Sequence, residues 1–205
     1  MKKIPDSVVR LIIEDEAKGI LAVPTDNPYH LALDIIHAAT KKHGRLVVTG
    51  VGKAGDVGKK IVSTFNSTGI PAIFLSPLDA KHGDLGVVGP YDALLLISNS
   101  GKTTEIVELV HLARNLYKNI KTICLTSKPS SPLGKAVDVV LHTGDPRELC
   151  PLGLTPTTSV IAMLVIADIL TVLSMQERRY TVADYHKRHH GGYLGQKAKK
   201  MSKRK

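Results

Sequence analysis

Hydroxyl, amide, lysine and histidine side chains gather in a few short segments of this 205-residue chain, and these segments could do chemistry. The densest is Ser98-Asn99-Ser100-Gly101-Lys102-Thr103-Thr104-Glu105. Neutral donors just before a helix suit a phosphate, because the first N–H groups of a helix are unpaired and its dipole favours an anion. One serine or threonine would suffice as a helix cap. Four hydroxyls around one glycine therefore predict a phosphate site.

A glycine-rich segment, Gly50-Val51-Gly52-Lys53-Ala54-Gly55, matches the dinucleotide fingerprint G-x-G-x-x-G. A nicotinamide enzyme needs an acid at the end of the next strand to hold the ribose, and Leu75-Ser76-Pro77 stands there instead. A P-loop is excluded because Gly58-Lys59 is followed by Lys60 rather than serine or threonine. The segment predicts a turn where an anion approaches the backbone at Gly52, with Lys53 as a point charge or as a solvated loop lysine.

Two histidine-bearing segments offer proton transfer. Asp79-Ala80-Lys81-His82-Gly83-Asp84-Leu85-Gly86 is unusually polar, and a loop histidine such as His82 titrates near neutrality. The second segment holds three histidines within residues 186–190, a spacing that also occurs in zinc sites. A double glycine follows at once and disfavours a helix that would align the ligands, so we expect no metal.

Composition restricts the class of protein. Hydrophobic residues at 43% and charged residues at 22% are typical of one soluble globular domain, and two cysteines are too few for a disulfide framework. No apolar stretch near the N-terminus resembles a signal peptide, and the apolar run 160–173 is shorter than the roughly 20 residues of a membrane span. We expect a cytoplasmic protein in which this run forms a buried helix, and neither a membrane nor a nucleic acid as partner.

The net charge of +10 is concentrated at the C-terminus, where residues 197–205 contribute six bases and no acid. Such an end is typically solvated and disordered, although it would also be attracted to nucleic acid or an anionic membrane surface. We predict a domain over residues 1–195 and a disordered basic tail over residues 196–205.

The elements that must position these segments alternate between strands and helices. Strands are predicted at 45–49, 72–75, 93–97, 121–125 and 137–141, and helices at 7–22, 28–43, 57–67, 103–116 and 157–174. The strands are apolar throughout, as strands covered on both faces are. The prediction is an α/β fold with a five-stranded parallel sheet, doubly wound with flavodoxin-like layers, whose ligand lies beyond the carboxyl ends of the strands.

Together these motifs resemble the arabinose 5-phosphate isomerases, which are built on the SIS (sugar isomerase) domain. The resemblance covers nearly the whole chain and is most specific at His82-Gly83-Asp84-Leu85-Gly86 and His189-His190-Gly191-Gly192-Tyr193-Leu194-Gly195. Leu154-Thr155-Pro156-Thr157-Thr158-Ser159 belongs to it as well. The chain departs from the family at Asp79, Thr155 and His190, where glutamate, alanine and proline are usual, and it would be a short form without CBS modules.

The resemblance implies interconversion of D-ribulose 5-phosphate and D-arabinose 5-phosphate through an enediol, in the route to Kdo and lipopolysaccharide, without a cofactor. It implies a homotetramer or dimer with sites near the subunit interfaces, so that the C-terminal histidines complete a neighbour's site. The implied catalytic residues are His82, Glu105, His189 and Lys53. The implied substrate-binding residues are Gly52, Lys53, Asp79, Ser98, Asn99, Ser100 and Thr103.

Two other functions fit the same segments. One is the isomerisation of another phosphosugar, such as a heptose or hexulose phosphate. The other is a phosphosugar-binding regulatory module, as in the SIS half of some transcription factors. No helix-turn-helix precedes the domain, and a sensor needs no acid and base such as His82 and His189.

Overall fold

A parallel β-sheet forms the centre of the computed structural model, which describes residues 4–202. Its five strands are β1 (Leu46–Gly50), β2 (Ala72–Phe74), β3 (Ala93–Ile97), β4 (Lys121–Thr126) and β5 (Val139–His142). The spatial order is β2-β1-β3-β4-β5, and every neighbouring pair is parallel. The predicted fold class is confirmed. The order in which strands are added reverses between β1 and β3, and this switch point is where α/β sheets bind ligands.

The strands are apolar because both faces of the sheet are covered. Every residue of β1 and β3 is buried. β5 begins at Val139, two residues later than the sequence predicts. The Asp138 carboxylate accepts hydrogen bonds from Thr122 N and Oγ1 (2.8 and 2.7 Å). These bonds fix the chain at the edge of the sheet just before the strand starts.

Described helices cover the two faces in two groups. α2 (Tyr29–Lys41), α3 (Lys53–Ser67) and α7 (Thr158–Glu177) pack on one face, and α4 (Pro77–Ala80), α5 (Thr104–Leu116) and α6 (Pro132–Ala136) pack on the other. A 3₁₀ turn spans Asp84–Val87, and α1 (Asp6–Leu21) leans on α7. The chain ends in α8 (Val182–His186) and α9 (Gly192–Ser202).

α3 begins at Lys53, four residues before the predicted start. Gly52 is the N-cap with φ of +58°, a left-handed conformation that glycine adopts without strain, and the helix starts directly after it. A Cβ on Gly55 would lie 2.8 Å from the carbonyl oxygen of Gly50, so this glycine lets the helix approach β1 closely. The glycines of the segment therefore set the position of Lys53 relative to the sheet.

α7 is long and apolar enough to cross a bilayer, with a mean hydropathy of 2.1 over its most apolar window. Half of that window is buried inside the protein, where Ala162, Ile166 and Leu170 pack in the main core. Burial of this kind is typical of a core helix, as the sequence predicted.

The C-terminal segment corrects one expectation. Residues 196–202, predicted to be disordered, belong to α9, and residues 203–205 lie outside the described residues. Gly195 and Ala198 are buried where α9 packs on the preceding turn, and a Cβ on Gly195 would lie 2.5 Å from the carbonyl oxygen of His189. Only glycine permits this close approach, which holds α9 against the preceding turn. The basic composition of the segment does not by itself predict a helix.

Candidate active site

A cavity of about 360 Å³ opens at the carboxyl ends of β1 and β3, at the switch point of the sheet. Three segments build its walls: the β1–α3 turn, the β3–α5 loop and the start of α7. Its lining residues are Val51, Lys53, Ala54, Ile97, Ser98, Asn99, Ser100, Thr103, Pro156, Ser159, Val160 and Met163. Of the predicted site residues, the structure brings Lys53, Ser98, Asn99, Ser100 and Thr103 together here, with Gly52 adjacent as the cap of α3.

The two serines of the β3–α5 loop, Ser98 and Ser100, have different structural roles. Ser98 is buried, and its Oγ lies 2.8 Å from Thr103 Oγ1 and accepts a hydrogen bond from Gly101 N (3.1 Å). Ser100 is exposed, and its Oγ accepts from Lys102 N over 3.2 Å. Ser98 thus fixes the shape of the loop, whereas Ser100 presents a hydroxyl whose proton is free for a ligand.

Gly101 closes the loop against a neighbouring helix. Its φ is +60°, and a Cβ there would lie 1.9 Å from Ser131 Oγ, so no other residue fits without displacing α6. The carbonyl of Asn99 is held in turn by Ser127 N and Oγ, both at 3.0 Å. The amide side chain of Asn99 is left facing the cavity wall with a buried Oδ1 that has no hydrogen-bond partner within the described residues.

The N-terminus of α5 is the electrostatic centre of the cavity. Thr103 is the N-cap, and within the described chain its side chain makes no capping hydrogen bond to the first turn. The first N–H groups of α5 therefore lack a side-chain cap at the positive end of the helix dipole, and Glu105 is the one acid in that first turn. Lys53, exposed on the opposite wall, adds a full positive charge and makes no ion pair among residues 4–202. The arrangement is suited to a dianion such as a phosphate.

The N-terminus of α7, by contrast, already holds an anion. The Glu148 carboxylate accepts hydrogen bonds from Thr157 N (2.6 Å) and Thr157 Oγ1 (3.0 Å), and more weakly from Ser159 N (3.4 Å). Burial alone would raise the pKa of this carboxyl, but the hydrogen bonds from Ser159 and Thr157 outweigh burial and hold the pKa below its ordinary value. Glu148 is therefore a carboxylate at neutral pH, placed behind Pro156 and Ser159 on the cavity wall.

Glu148 is a residue that the sequence reasoning missed. It follows the carboxyl end of β5, the same edge of the sheet from which the other site segments leave. An acid in a loop at that edge was the available signal. Its hydrogen bonds span nine or more residues of irregular chain, which no periodicity reveals.

Three of the remaining predicted residues, Glu105, Asp79 and His82, do not line the cavity. Glu105 is half-buried in the first turn of α5, two residues beyond Thr103, and is not part of the lining. Asp79 lines a second hollow of about 660 Å³ along β2, together with Asp84. His82 is exposed beside it and lines neither hollow. The acid and base candidates of these segments therefore lie outside the lining of the cavity, on segments that follow the carboxyl ends of β2 and β3.

His189 lies at the other end of the molecule. α7 runs about 30 Å from the cavity to its last residue. Beyond it, Tyr180 Oη donates to the carbonyl of Ser67 (3.1 Å), at the end of α3 farthest from Lys53. His189 follows at once, stacked on Tyr185 with ring centroids 3.7 Å apart. The histidine therefore cannot reach the cavity of its own chain.

The C-terminal histidines form no metal centre in the part of the chain that is described, residues 4–202, where no group of three His, Cys, Asp or Glu side chains could hold an ion. His189 Nδ1 instead lies 2.9 Å from the carbonyl oxygen of Tyr185. The prediction that no metal takes part stays a prediction.

Comparison with known proteins gives concordant similarities. The SIS domain family profile matches residues 40–173, from the end of α2 to most of α7. The arabinose 5-phosphate isomerase KdsD of Yersinia pestis is 48% identical over 155 residues, which are 76% of this chain and 47% of that protein. The protein of the same name from Escherichia coli (strain K12) is 44% identical over 154 residues, 75% of this chain and 46% of the relative. The chain thus spans about half the length of the curated relatives it matches.

Solved structures extend the similarity to the described fold. One is a protein of Bacteroides fragilis NCTC 9343 that has been assigned as a phosphosugar isomerase involved in capsule formation. Its structure matches with a TM-score of 0.89 and 49% identity, over 91% of this chain and 98% of that one. A protein of Escherichia coli CFT073, solved in complex with A5P, matches with a TM-score of 0.78 and 31% identity over 89% of this chain and 97% of that one. Both structures therefore share the fold of this chain over most of its length.

Cys150 lies in the loop that leads to α7, and we predict that its thiol is reactive because backbone N–H groups donate to its sulfur. Thr155 N donates to Cys150 Sγ (3.1 Å), as does Leu154 N (3.2 Å), and these bonds lower the pKa of the thiol to about 7. Burial raises the pKa of Cys124 to about 12. At pH 7.5 we expect iodoacetamide to alkylate Cys150 on the order of 100-fold faster than Cys124, because the thiolate is the nucleophile.

Peptide mass spectrometry over a time course measures the two rates. Labelling of Cys150 should slow as the pH falls below 7, since the thiolate is then protonated. A Cys150→Ser variant serves as the control and should remain largely unlabelled. Comparable labelling of both cysteines in the folded protein would contradict the prediction.

Proposed function

The chain belongs to the SIS domain family, and on that premise we propose that it is an aldose–ketose isomerase that interconverts D-ribulose 5-phosphate and D-arabinose 5-phosphate. The observation that carries the proposal is the uncapped N-terminus of α5, ringed by hydroxyls and faced by Lys53, within a cavity of about 360 Å³. The names of the relatives at 44–48% identity specify the sugar phosphate. Glu105 in the first turn of α5, and Asp79 and His82 after the carboxyl end of β2, are acid and base groups that favour an enzyme over a phosphosugar sensor.

In this proposal the phosphate binds at the start of α5. Ser100 Oγ, the amide of Asn99 and the first N–H groups of the helix donate to its oxygens, and Thr103 forms the edge of the cradle. Gly52 allows the turn that brings Lys53 to the facing wall. Hydrogen bonds to a charged group contribute about 1.5–3 kcal/mol each, so a few such donors suffice to anchor the substrate.

The reaction itself moves a carbonyl between C1 and C2 of the sugar. It needs a base that removes a carbon-bound proton, an acid that protonates the carbonyl oxygen, and positive charge that stabilises the enediolate. Lys53 supplies the charge. Glu105 and His82, with Asp79 supporting, exchange protons with the sugar. No step requires a metal or a redox cofactor.

A second copy of the chain completes the site in this proposal. His189 is about 30 Å along α7 from its own cavity, so it acts in the cavity of a neighbouring subunit. The substrate cavity is then an inter-subunit site, and a homodimer or homotetramer is the functional unit. The proposal includes a cytoplasmic enzyme that supplies the lipopolysaccharide sugar Kdo, with the isomerase domain over residues 1–195.

The first test of the proposal is product identity. Purified protein mixed with ribulose 5-phosphate in D₂O should yield arabinose 5-phosphate carrying deuterium at C2, because an exchanging base returns a solvent-derived proton to the carbon. NMR identifies both the sugar and the labelled position. Conversion to a different phosphosugar would redirect the substrate assignment, and binding without turnover would favour the regulatory alternative.

A second prediction addresses the phosphate cradle. Ser100→Ala removes one donor to a dianion and should raise KM about tenfold or more while kcat changes little, because the interaction is the same in the ground and transition states. Thr104→Ala is the matched control, since Thr104 is an exposed hydroxyl residue at the first position of α5 and is outside the cavity lining. Equal kinetics for the two variants would refute the cradle.

Complementation tests the shared site. Lys53→Ala and His189→Ala should each lose on the order of 10²–10⁴-fold in kcat. When the two variants are unfolded together and refolded as mixed oligomers, some cavities combine an intact Lys53 with an intact His189 of a neighbour, and partial activity should return. Refolding each variant alone is the control. If the mixture stays as inactive as its components, His189 does not act across subunits.

A further inference from the structure

The C-terminus of α3 is bound by side chains that follow α7. α3 ends at Ser67, and Arg178 donates from Nη1 to the carbonyl of Thr68 and from Nη2 to that of Gly69, both over 3.3 Å. Tyr180 Oη donates to the carbonyl of Ser67 (3.1 Å). The last carbonyls of a helix lack partners within the helix and form the negative end of its dipole. A guanidinium and a hydroxyl donor therefore stabilise this contact between α3 and the C-terminal segment.

The ring of Tyr180 connects this contact to the residues around His189. The guanidinium carbon of Arg178 lies 5.6 Å from the ring centroid and that of Arg188 lies 5.7 Å from it, within the range of cation–π contacts. Arg188 Nη1 also donates to the carbonyl of Asp184 (3.0 Å), which lies in α8. Because Arg188 immediately precedes His189, Tyr180 attaches the end of α8 to the end of α3.

Gly69 leaves the space that this attachment needs. Its φ is +84°, a left-handed conformation that favours glycine. A Cβ there would lie 2.9 Å from Arg188 Cζ and 3.0 Å from Arg178 Nη2. A side chain at this position would therefore push both guanidinium groups away from the end of α3.

The ring of His189 is in turn fixed relative to α8. It stacks on the Tyr185 ring with the two planes 5° apart, and its Nδ1 lies 2.9 Å from the Tyr185 carbonyl oxygen. A carbonyl oxygen can only accept a hydrogen bond, so Nδ1 carries the proton and Nε2 is the basic nitrogen of the neutral ring. The direction of Nε2 is therefore set by the place where α8 is held.

We propose that Tyr180 is a positioning residue that directs Nε2 of His189 toward the cavity of a neighbouring subunit. The inference rests on the proposed action of His189 across subunits. Tyr180 itself touches no substrate in its own cavity, because it lies at the opposite end of α3 from Lys53, and this helix is about 22 Å long. One rigid helix thus carries Lys53 into one site and supports the histidine that serves another.

Steady-state kinetics give the first test. Tyr180→Leu should lower kcat about 10- to 100-fold, because a displacement of about 1 Å in a reacting group costs up to about 100-fold. KM should change less than about twofold, since the phosphate cradle is intact. Tyr180→Phe keeps the ring and should retain most of the activity. Tyr91→Leu is the matched control, because the Tyr91 ring also has a cation, Lys42, at 5.4 Å but precedes the amino end of β3.

Mixed oligomers give a readout that a general loss of stability would not. Tyr180→Leu keeps its own Lys53 but presents a misplaced His189 to its neighbour. Refolded together with Lys53→Ala, it should regain activity, because its cavity then receives His189 from a chain with an intact Tyr180. Refolded with His189→Ala, it should show no more activity than the two components refolded alone. Arg178→Met, which removes the donors to α3 and keeps the Tyr180 ring, should give the same pattern.

The mixture of Lys53→Ala with His189→Ala separates this inference from the proposed function. If that reference mixture stays inactive, His189 does not act across subunits and the positioning role is wrong as well. If the reference mixture recovers, the positioning role alone is overturned by a wild-type kcat in Tyr180→Leu, or by recovery of Tyr180→Leu with His189→Ala and not with Lys53→Ala. Circular dichroism checks folding, and Arg178→Met decides the question if Tyr180→Leu does not fold.

Discussion

The N-terminus of α5, which has no side-chain cap in the described chain, is the feature on which the rest of the site depends. A helix end carries a positive potential only where its first N–H groups lack partners and point into a space that a ligand can enter. Gly101 lets the loop turn against Ser131, Ser98 ties it to Thr103, and the buried β3 delivers it to the switch point. Each of these contacts is internal to the protein, so the donors left for a ligand are already in position before it binds.

The contrast between α5 and α7 gives the cavity its electrical asymmetry. Both helices begin at the same cavity, but α7 is capped by the Glu148 carboxylate, whereas α5 has no side-chain cap in the described chain and its first-turn acid, Glu105, is not part of the cavity lining. A second anion is thus favoured at one wall and disfavoured at the other.

The separation of the C-terminal histidines from the cavity follows from the length of α7. A core helix must span the sheet to bury its apolar residues, and by doing so it carries the chain to the opposite end of the molecule. The residues that follow can serve catalysis only in another subunit.

The amino-acid sequence by itself determined the sheet, its parallel strands and the hydroxyl-rich loop between β3 and α5. These depend on local signals: continuous apolar runs predict buried strands, and a cluster of hydroxyls around Gly101 predicts an anion-binding helix start. Only the tertiary structure decided that Glu148 caps α7, that residues 196–202 are helical and that His189 is far from Lys53. Glu148 is held by hydrogen bonds across an irregular loop, and α9 by the close approach of Gly195 to the His189 carbonyl. The position of His189 depends on the lengths and packing of all the elements that lie between it and Lys53. The residues next to His189 in the sequence therefore do not predict its distance from Lys53.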